Sequence, residues 1–337
     1  MTSLKAAVIG VGSMGRNHAR VYRELAETEL VAVADPNPQV AEGVARDQQA
    51  RAYGDYRAML AAELPDIVSV VVPTEQHFEV ATAALEAGCH VLVEKPITST
   101  VEQGLGLIAH AEALGRQLMV GHIVRFDPAV QELKRRLDAN ELGRIFQVRS
   151  QRLGPFPARV RDVGVVIDLA THDVDITSYV TGQPIVRVYA ETQREIHSSH
   201  EDLLIGTLRL ASGAVGLLEI NWLTPTKTRT LTITGERGMF VVDYLMQDLY
   251  YYENQEALPI SWDQISMIKG VSEGRMIRYP INKMEPLKIE LQAFAQSIIA
   301  GAPAPVSGRE GLAALRTALA LVRSGLEHRP VTVEHEG

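Results

Sequence analysis

The amino-acid sequence predicts an α/β protein in which a doubly wound parallel sheet precedes an α+β domain with a large, mostly antiparallel open sheet. Three observations carry this expectation. The chain enters a strand-like run, Leu4 to Ile9, that passes through a glycine loop into a helical pattern. Short β-branched apolar runs then alternate with helical spacing up to residue 122, as a parallel sheet covered on both faces requires. Beyond that point alternating strands separated by short Gly-containing turns take over. The domain boundary is therefore drawn between 1–122 and 123–337.

The first strand ends in Gly10-Val11-Gly12-Ser13-Met14-Gly15. In the helix that follows, Ala19, Val21, Tyr22 and Leu25 are apolar, and Arg16, Arg20, Arg23 and Glu24 are polar. Strand, glycine loop and helix stand in the order of a Rossmann dinucleotide turn. Gly10 permits the tight turn, Gly12 lets the backbone approach a pyrophosphate, and Gly15 allows close helix packing at an N-terminus that favours anions. Ser13 and Met14 complete this candidate cofactor loop. A glycine loop alone also makes plain turns, but here a second strand, Leu30 to Ala34, leads to Asp35, 20 residues after Gly15. A carboxylate there hydrogen-bonds the adenosine ribose and repels a 2′-phosphate, and Pro36-Asn37-Pro38 supplies no arginine, so NAD is expected rather than NADP. The bland alternative is an Asp that starts a turn. The spacing favours the binding role.

Helices are expected over Val40–Gln48 and Asp55–Ala62, the second capped by Asp55. Asp66 to Val72 reads as a buried strand ending at Pro73-Thr74, and a helix through Val80, Ala84 and Leu85 follows. Val91-Leu92-Val93 is the next strand. It delivers Glu94-Lys95, and Pro96 stops it. A helix capped by Ser99 or Thr100 leads to a last strand, Gln117–Val120, and to Gly121-His122. Gly10, Asp35, Pro73-Thr74, Glu94-Lys95 and Gly121-His122 thus all fall at strand carboxyl ends, where such sheets bind ligands.

In the second part, Ala129–Leu137 reads as a helix, Gly143–Arg152 as a strand, Gly154-Pro155-Phe156-Pro157 as a loop and Val165–Val180 as one helix carrying His172. Strands are expected at Val186–Thr192, Leu203–Leu210, Val215–Trp222, Arg229–Thr234 and Met239–Val242, with hairpins at Ala211-Ser212-Gly213 and Gly235–Gly238. Residues 248–280 carry no clear pattern. Helices close the chain at Leu287–Ile299 and Gly311–Leu326.

The net charge of −8 argues against a nucleic-acid binder, which needs clustered Lys and Arg. A single cysteine, Cys89, rules out an intrachain disulfide and a CxxC metal site. Met1-Thr2-Ser3-Leu4-Lys5 shows no basic-apolar leader, and no apolar run approaches the ~20 residues of a membrane span. A cytoplasmic protein with no membrane partner is expected.

Removing hydride from an alcohol requires a base for the hydroxyl proton and a cation or donor for the developing oxyanion. His172 suits the first role and Lys95 the second. Asp168 lies four residues before His172, so on an α-helix the two share a face. Taken singly, a helical His is more often packed or on the surface, and a strand-end Lys more often solvated. Arg159 and Arg161, in the Pro-rich loop, either clamp a pyrophosphate or cover the surface. His197 and His200 read as surface residues. No third ligand stands at metal spacing from Asp168 and His172, so no metal is expected.

Gly10–Gly15, Val72-Pro73-Thr74 with His77, Glu94-Lys95-Pro96 and Asp168 with His172 together resemble the Gfo/Idh/MocA oxidoreductase family in motif order. The resemblance implies a Rossmann domain over 1–122, a substrate-binding and oligomerisation domain over 123–337, and NAD-linked hydride transfer at a pyranose or cyclitol carbon. By position it implies that Lys95 meets nicotinamide and substrate, that Asp168 and His172 are the acid and histidine of the active-site helix, and that Pro73, Thr74, His77 and Glu94 line the cofactor. Gly121-His122 with Arg125-Phe126 and Pro128, the run Gly154–Pro157 with Arg159, Arg161–Gly164, and Gln247–Tyr250 resemble the subgroup that oxidises the C3 hydroxyl of UDP-N-acetylglucosamine. That subgroup implies Arg125, Arg159 and Arg161 at the substrate and an aminotransferase as the next enzyme, while the open sheet and the family resemblance imply a homodimer or homotetramer. A uronic acid derivative, a free sugar or inositol are the rival substrates. A non-catalytic NAD-sensing protein on the same fold is the rival of another class, against which Lys95 and His172 both speak.

Overall fold

The structure is a computed structural model that describes residues 3–157, 163–197, 199–256 and 271–334. The chain begins with β1 (Leu4–Ile9), α1 (Gly15–Glu24), β2 (Thr28–Ala34), α2 (Pro38–Gln48), β3 (Arg51–Tyr53), α3 (Tyr56–Glu63), β4 (Ile67–Val70), α4 (His77–Glu86), β5 (His90–Glu94), α5 (Val101–Ala113) and β6 (Leu118–Gly121). It continues with α6 (Pro128–Asp138), β7 (Ile145–Pro155), a π-helical turn (Val166–Ala170), α7 (Thr171–Thr181), β8 (Ile185–Gln193), β9 (Leu203–Leu210), β10 (Val215–Asn221), β11 (Leu223–Gly235) and β12 (Gly238–Asp243). Last come β13 (Asp248–Glu256), β14 (Val271–Tyr279), α8 (Pro286–Ala300), α9 (Gly308–Glu327) and β15 (Val331–Thr332).

The first sheet is all parallel, in the order β3-β2-β1-β4-β5-β6. Ala6, Ala7, Val8, Val68, Val91, Leu92 and Val93 are each fully buried, which is why these strands read as continuous apolar runs. Asp55 and Thr100 accept backbone N–H bonds at the starts of α3 and α5 as expected, and Asn37 does the same for α2, which begins at Pro38. The second sheet is mostly antiparallel, ordered β14-β13-β12-β11-β7-β10-β9-β8-β15, with β7 and β10 parallel. Leu204, Ile220, Leu218, Leu231 and Val242 line its covered face. Residues 248–280, which carried no pattern, include the strands β13 and β14, paired antiparallel.

By internal contacts the chain forms two compact units: Met1–Phe126 with Met284–Arg316, and Asp127–Lys283 with Thr317–Gly337. Residues 284–316 thus belong with the parallel sheet, whereas the sequence boundary grouped them with the second domain. The reason is the apolar stripe Leu287, Leu291, Phe294 and Ala295 of α8, all buried. Polar bonds flank it: Gln292 and Gln296 donate to Glu27, and Lys288 pairs with Glu24.

Candidate active site

In the first unit the candidate nucleotide edge is built from backbone. Gly10 has φ +83°, and a Cβ there would lie 2.4 Å from the Val71 carbonyl oxygen. A Cβ on Gly15 would lie 1.8 Å from the Gly10 carbonyl oxygen. Both positions therefore admit only glycine. Gly12 is the opposite case, with nothing among the described residues within 4 Å of an added Cβ, so its open side can receive a ligand. Met14 occupies the N-cap of α1 without a side-chain bond, and no acidic residue stands in the first turn. The positive end of the helix is left for an anion. At the end of β2, Asp35 accepts from the Val11 N–H at 3.0 Å and from the Asn37 N–H at 2.9 Å. It makes the turn of the bland reading and also buttresses the glycine loop, while its remaining lone pairs can take ribose hydroxyls. The open Gly12, the helix end without an acidic side chain and this carboxylate together fit a dinucleotide.

Two strands away, β5 ends at Glu94 and presents Lys95, partly buried, before a cis peptide to Pro96. A buried polar chain supports this end. The Tyr22 hydroxyl meets Ser69 Oγ at 2.9 Å, Ser69 Oγ meets His18 Nδ1 at 3.1 Å, and His18 Nε2 meets Glu94 Oε1 at 3.1 Å. Glu94 Oε2 accepts from the Lys95 N–H at 3.2 Å. Burial pushes the Glu94 carboxyl up, but His18 and Lys95 outweigh it and hold the group below its ordinary range. The sequence reading missed His18 and Ser69. Their signal was a His on the inner face of α1 facing a lone polar residue in β4. His77 is 1% exposed, with its ring nitrogens 2.8 Å from the Pro96 carbonyl oxygen and 3.0 Å from that of Val72. It braces the loop after β4, which carries Pro73 and Thr74, to the loop after Lys95. Arg125 is 6% exposed and forms an ion pair with Glu310, so it helps to hold the C-terminal segment to this unit.

The second unit carries the other candidates. The single helix expected over 165–180 is instead a π-helical turn running into α7. Glu201 pins its start: the backbone oxygen accepts from the Val165 N–H at 2.9 Å, and Oε1 accepts from the Val166 N–H at 3.1 Å. Asp168 lies in the π turn and His172 in the first turn of α7, both partly exposed. Their four-residue spacing therefore spans a change of pitch instead of one continuous α-face.

Asp173 is the anchor of this helix. It is 1% exposed and accepts from Ser150 Oγ at 2.5 Å and from Arg152 at 2.7 and 3.2 Å. Burial pulls the Arg152 guanidinium down, yet Asp173 outweighs it and holds the group above its ordinary value. The clue was Ser150 and Arg152 at i and i+2, on one face of a strand. His197 is also not a surface residue: it is 7% exposed and packs among Trp222, Phe156 and His200. Asp202 accepts the N–H groups of Glu195, Ile196 and His197 and so organises that loop. Arg159 and Arg161 lie outside the described residues. Among the described residues no group of three or more His, Cys, Asp or Glu is placed to hold a metal, and no helix is long and apolar enough to cross a membrane.

Known proteins match this arrangement over nearly the whole chain. Residues 4–122 match the Gfo/Idh/MocA oxidoreductase family, NAD-binding Rossmann fold, and residues 130–241 match the Gfo/Idh/MocA C-terminal domain. UDP-N-acetylglucosamine 3-dehydrogenase of Acidithiobacillus ferrooxidans is 31% identical over 95% of this chain and 96% of its own. Its solved structure superposes with a TM-score of 0.85, covering 96% of this chain and 98% of that one. D-glucoside 3-dehydrogenase of Escherichia coli is 33% identical over 66% of this chain and 72% of its own. A levoglucosan dehydrogenase solved with NADH, 23% identical, shares the fold with a TM-score of 0.86 over 99% of this chain and all of that one. The chain belongs to the Gfo/Idh/MocA family and is an NAD-dependent oxidoreductase.

Proposed function

We propose that this dehydrogenase oxidises the C3 hydroxyl of UDP-N-acetylglucosamine to the 3-keto sugar. The observation that carries the reading is the 31% identity to a UDP-N-acetylglucosamine 3-dehydrogenase over 95% of the chain. The loop Gly10–Gly15 with Asp35, and the strand-end segments Pro73-Thr74 and Glu94-Lys95, hold the cofactor. When bound, NAD supplies the acceptor for the C3 hydride. The Lys95 ammonium hydrogen-bonds the sugar oxygen as it gains charge, His172 accepts the hydroxyl proton, and Asp168 binds a neighbouring hydroxyl or orients His172. Glu94 and the His18 chain behind it keep the Lys95 end of β5 in place.

The test is mass spectrometry of UDP-N-acetylglucosamine incubated with enzyme and NAD, with a carbonyl trap or an aminotransferase to draw the equilibrium. A loss of two hydrogens supports the reading. Its persistence at wild-type rate in Lys95→Met or His172→Ala would sink the assigned roles. Loss of either group is expected to slow turnover roughly 10²- to 10⁴-fold while leaving NADH affinity within about twofold. A second reading, C3 oxidation of a neutral glycoside, is supported by the D-glucoside 3-dehydrogenase match. Turnover of methyl glucoside in preference to the nucleotide sugar would select it.

We also infer a homodimer or homotetramer formed through the outer face of the nine-stranded sheet. Ile205 and Met276 are 48% and 57% exposed there. A shallow cavity of about 360 Å³ opens among Arg187, Tyr189, Thr207, Arg209, Val215 and Pro330. A sugar aminotransferase would consume the 3-keto product.

A further inference from the structure

One row of residues on the covered face of the second sheet does not close its own charges. Arg152 on β7 stands directly opposite Arg229 on β11. The ladder continues one step beyond β12, where the Tyr244 N–H donates to the Arg229 carbonyl oxygen at 3.0 Å. Arg152, Arg229 and Tyr244 therefore project to the same face, the one that α7 covers through Asp173. Like charges directly opposite each other weaken a sheet. Arg152 is neutralised by Asp173. Arg229 is partly buried, and among the described residues no carboxylate forms an ion pair with it. Burial, with Arg152 opposite, pulls its guanidinium down to about 10, and only the more distant charges of Asp173 and Asp168 act the other way. The Tyr244 hydroxyl is buried and has no hydrogen-bond partner among the described residues. Burial raises its pKa, so the hydroxyl stays protonated and can donate.

A buried hydroxyl without an acceptor costs stability, and a half-buried cation beside it with no ion partner among the described residues favours an incoming anionic acceptor. We propose that Arg229 and the Tyr244 hydroxyl form the receptor for an anionic oxygen group of the substrate, a phosphate or a carboxylate. This deepens the substrate reading above and rests on it. The guanidinium presents the planar fork that such groups bind in two-point fashion, and Tyr244 adds a third donor. Arg229 stands opposite Arg152, which pairs with Asp173 of α7, so the anion is held in the neighbourhood of the candidate active-site helix. Neither residue belonged to any motif in the sequence. Arg229 read only as the first residue of an alternating strand.

Isothermal titration of full-length enzyme saturated with NADH tests this, since the cofactor then occupies the glycine loop and no oxidation can proceed. The probes are UDP, inorganic pyrophosphate and glucuronate. Arg229→Leu is expected to weaken the bound anion at least roughly tenfold, Arg229→Lys less because it keeps charge without the fork, and Tyr244→Phe about threefold. NADH affinity and thermal midpoint in each variant report folding, and Arg229→Lys serves if Arg229→Leu does not fold. In steady state the Arg229 variants should raise KM and leave kcat within about threefold, because the contact is made equally in ground and transition states. Loss of UDP and pyrophosphate binding assigns a phosphate. Loss of glucuronate binding alone assigns a carboxylate. Equal affinity of wild type and Arg229→Leu for all three probes, or no binding of any probe by wild type, overturns the proposal. Turnover of UDP-N-acetylglucosamine with the same KM in wild type and Arg229→Leu sinks the receptor and keeps the substrate reading. Arg229-dependent glucuronate binding in an enzyme inert to UDP-N-acetylglucosamine does the reverse.

Discussion

The two units build their candidate sites from different materials. In the parallel-sheet unit the nucleotide edge is backbone: glycines that tolerate no Cβ, a helix end without an acidic side chain, and an aspartate spent partly on main-chain N–H groups. In the second unit the site helix is held by buried charge, with Asp173 against Arg152 and Ser150, and Arg229 and Tyr244 alongside. A backbone site is sensitive to single atoms of bulk and indifferent to nearby charge. A charge-built site tolerates changes of bulk but depends on pairing. The physical distinction is that a backbone clash cannot be relieved by a rotamer, whereas a buried ion cannot be left alone.

The largest expected effect lies in the charge-built unit. Arg152→Leu leaves Asp173 buried with Ser150 as its one remaining side-chain donor among the described residues, and should cost about 3–5 kcal/mol in urea unfolding. The double variant Arg152→Leu/Asp173→Leu should recover most of that loss. A double variant no more stable than the single would show that packing, and not charge, anchors α7.

Next comes Asp127, which caps α6 by accepting from the Ala129 N–H at 2.8 Å and is 4% exposed. Burial, aided by Asp243, raises its pKa to about 6. The folded state then holds a proton that the unfolded state releases near pH 4. Its contribution is therefore present in full at lower pH and is lost as pH rises through about 6, on the order of 3 kcal/mol in all. Asp127→Asn keeps a capping acceptor without the charge. It should be more stable than wild type at pH 7.5 and equal to it near pH 4. A stability difference that does not change with pH would contradict this.

The smallest effect should come from Gly12, and it separates the two kinds of glycine in the backbone-built unit. Gly15→Ala drives a Cβ against the Gly10 carbonyl and should lower both the thermal midpoint and NADH affinity. Gly12→Ala meets no atom of the described residues within 4 Å, so the midpoint should hold while NADH affinity falls roughly tenfold, about 1.4 kcal/mol. Equal NADH affinity in Gly12→Ala and wild type would remove Gly12 from the cofactor site.

Much of the first unit was legible because its rules are local. A glycine loop, a following acid and β-branched runs each act within a few residues, and Gly10, Gly15 and Asp35 sit where those rules put them. The π turn was not legible, because what pins its start is Glu201, more than thirty residues later. Strands β13 and β14 were missed because Tyr250-Tyr251-Tyr252 puts an aromatic on both faces and erases the period of two. Tyr251 packs on Phe240, while Tyr250 faces Arg278.

By itself, the sequence determined most of the order of strands and helices and the glycine loop, and it supplied the lysine and histidine as candidates for the chemistry. All of these depend on residues close together in the chain. Only the tertiary structure decided which charges close on one another. Asp173 with Arg152, His18 with Glu94, and Arg229 with no ion partner among the described residues are outcomes of sheet register and packing across 20 to 80 residues of chain. Burial in turn gives those pairings their weight, because a charge out of water is governed by what stands beside it in space and not by its neighbours in sequence.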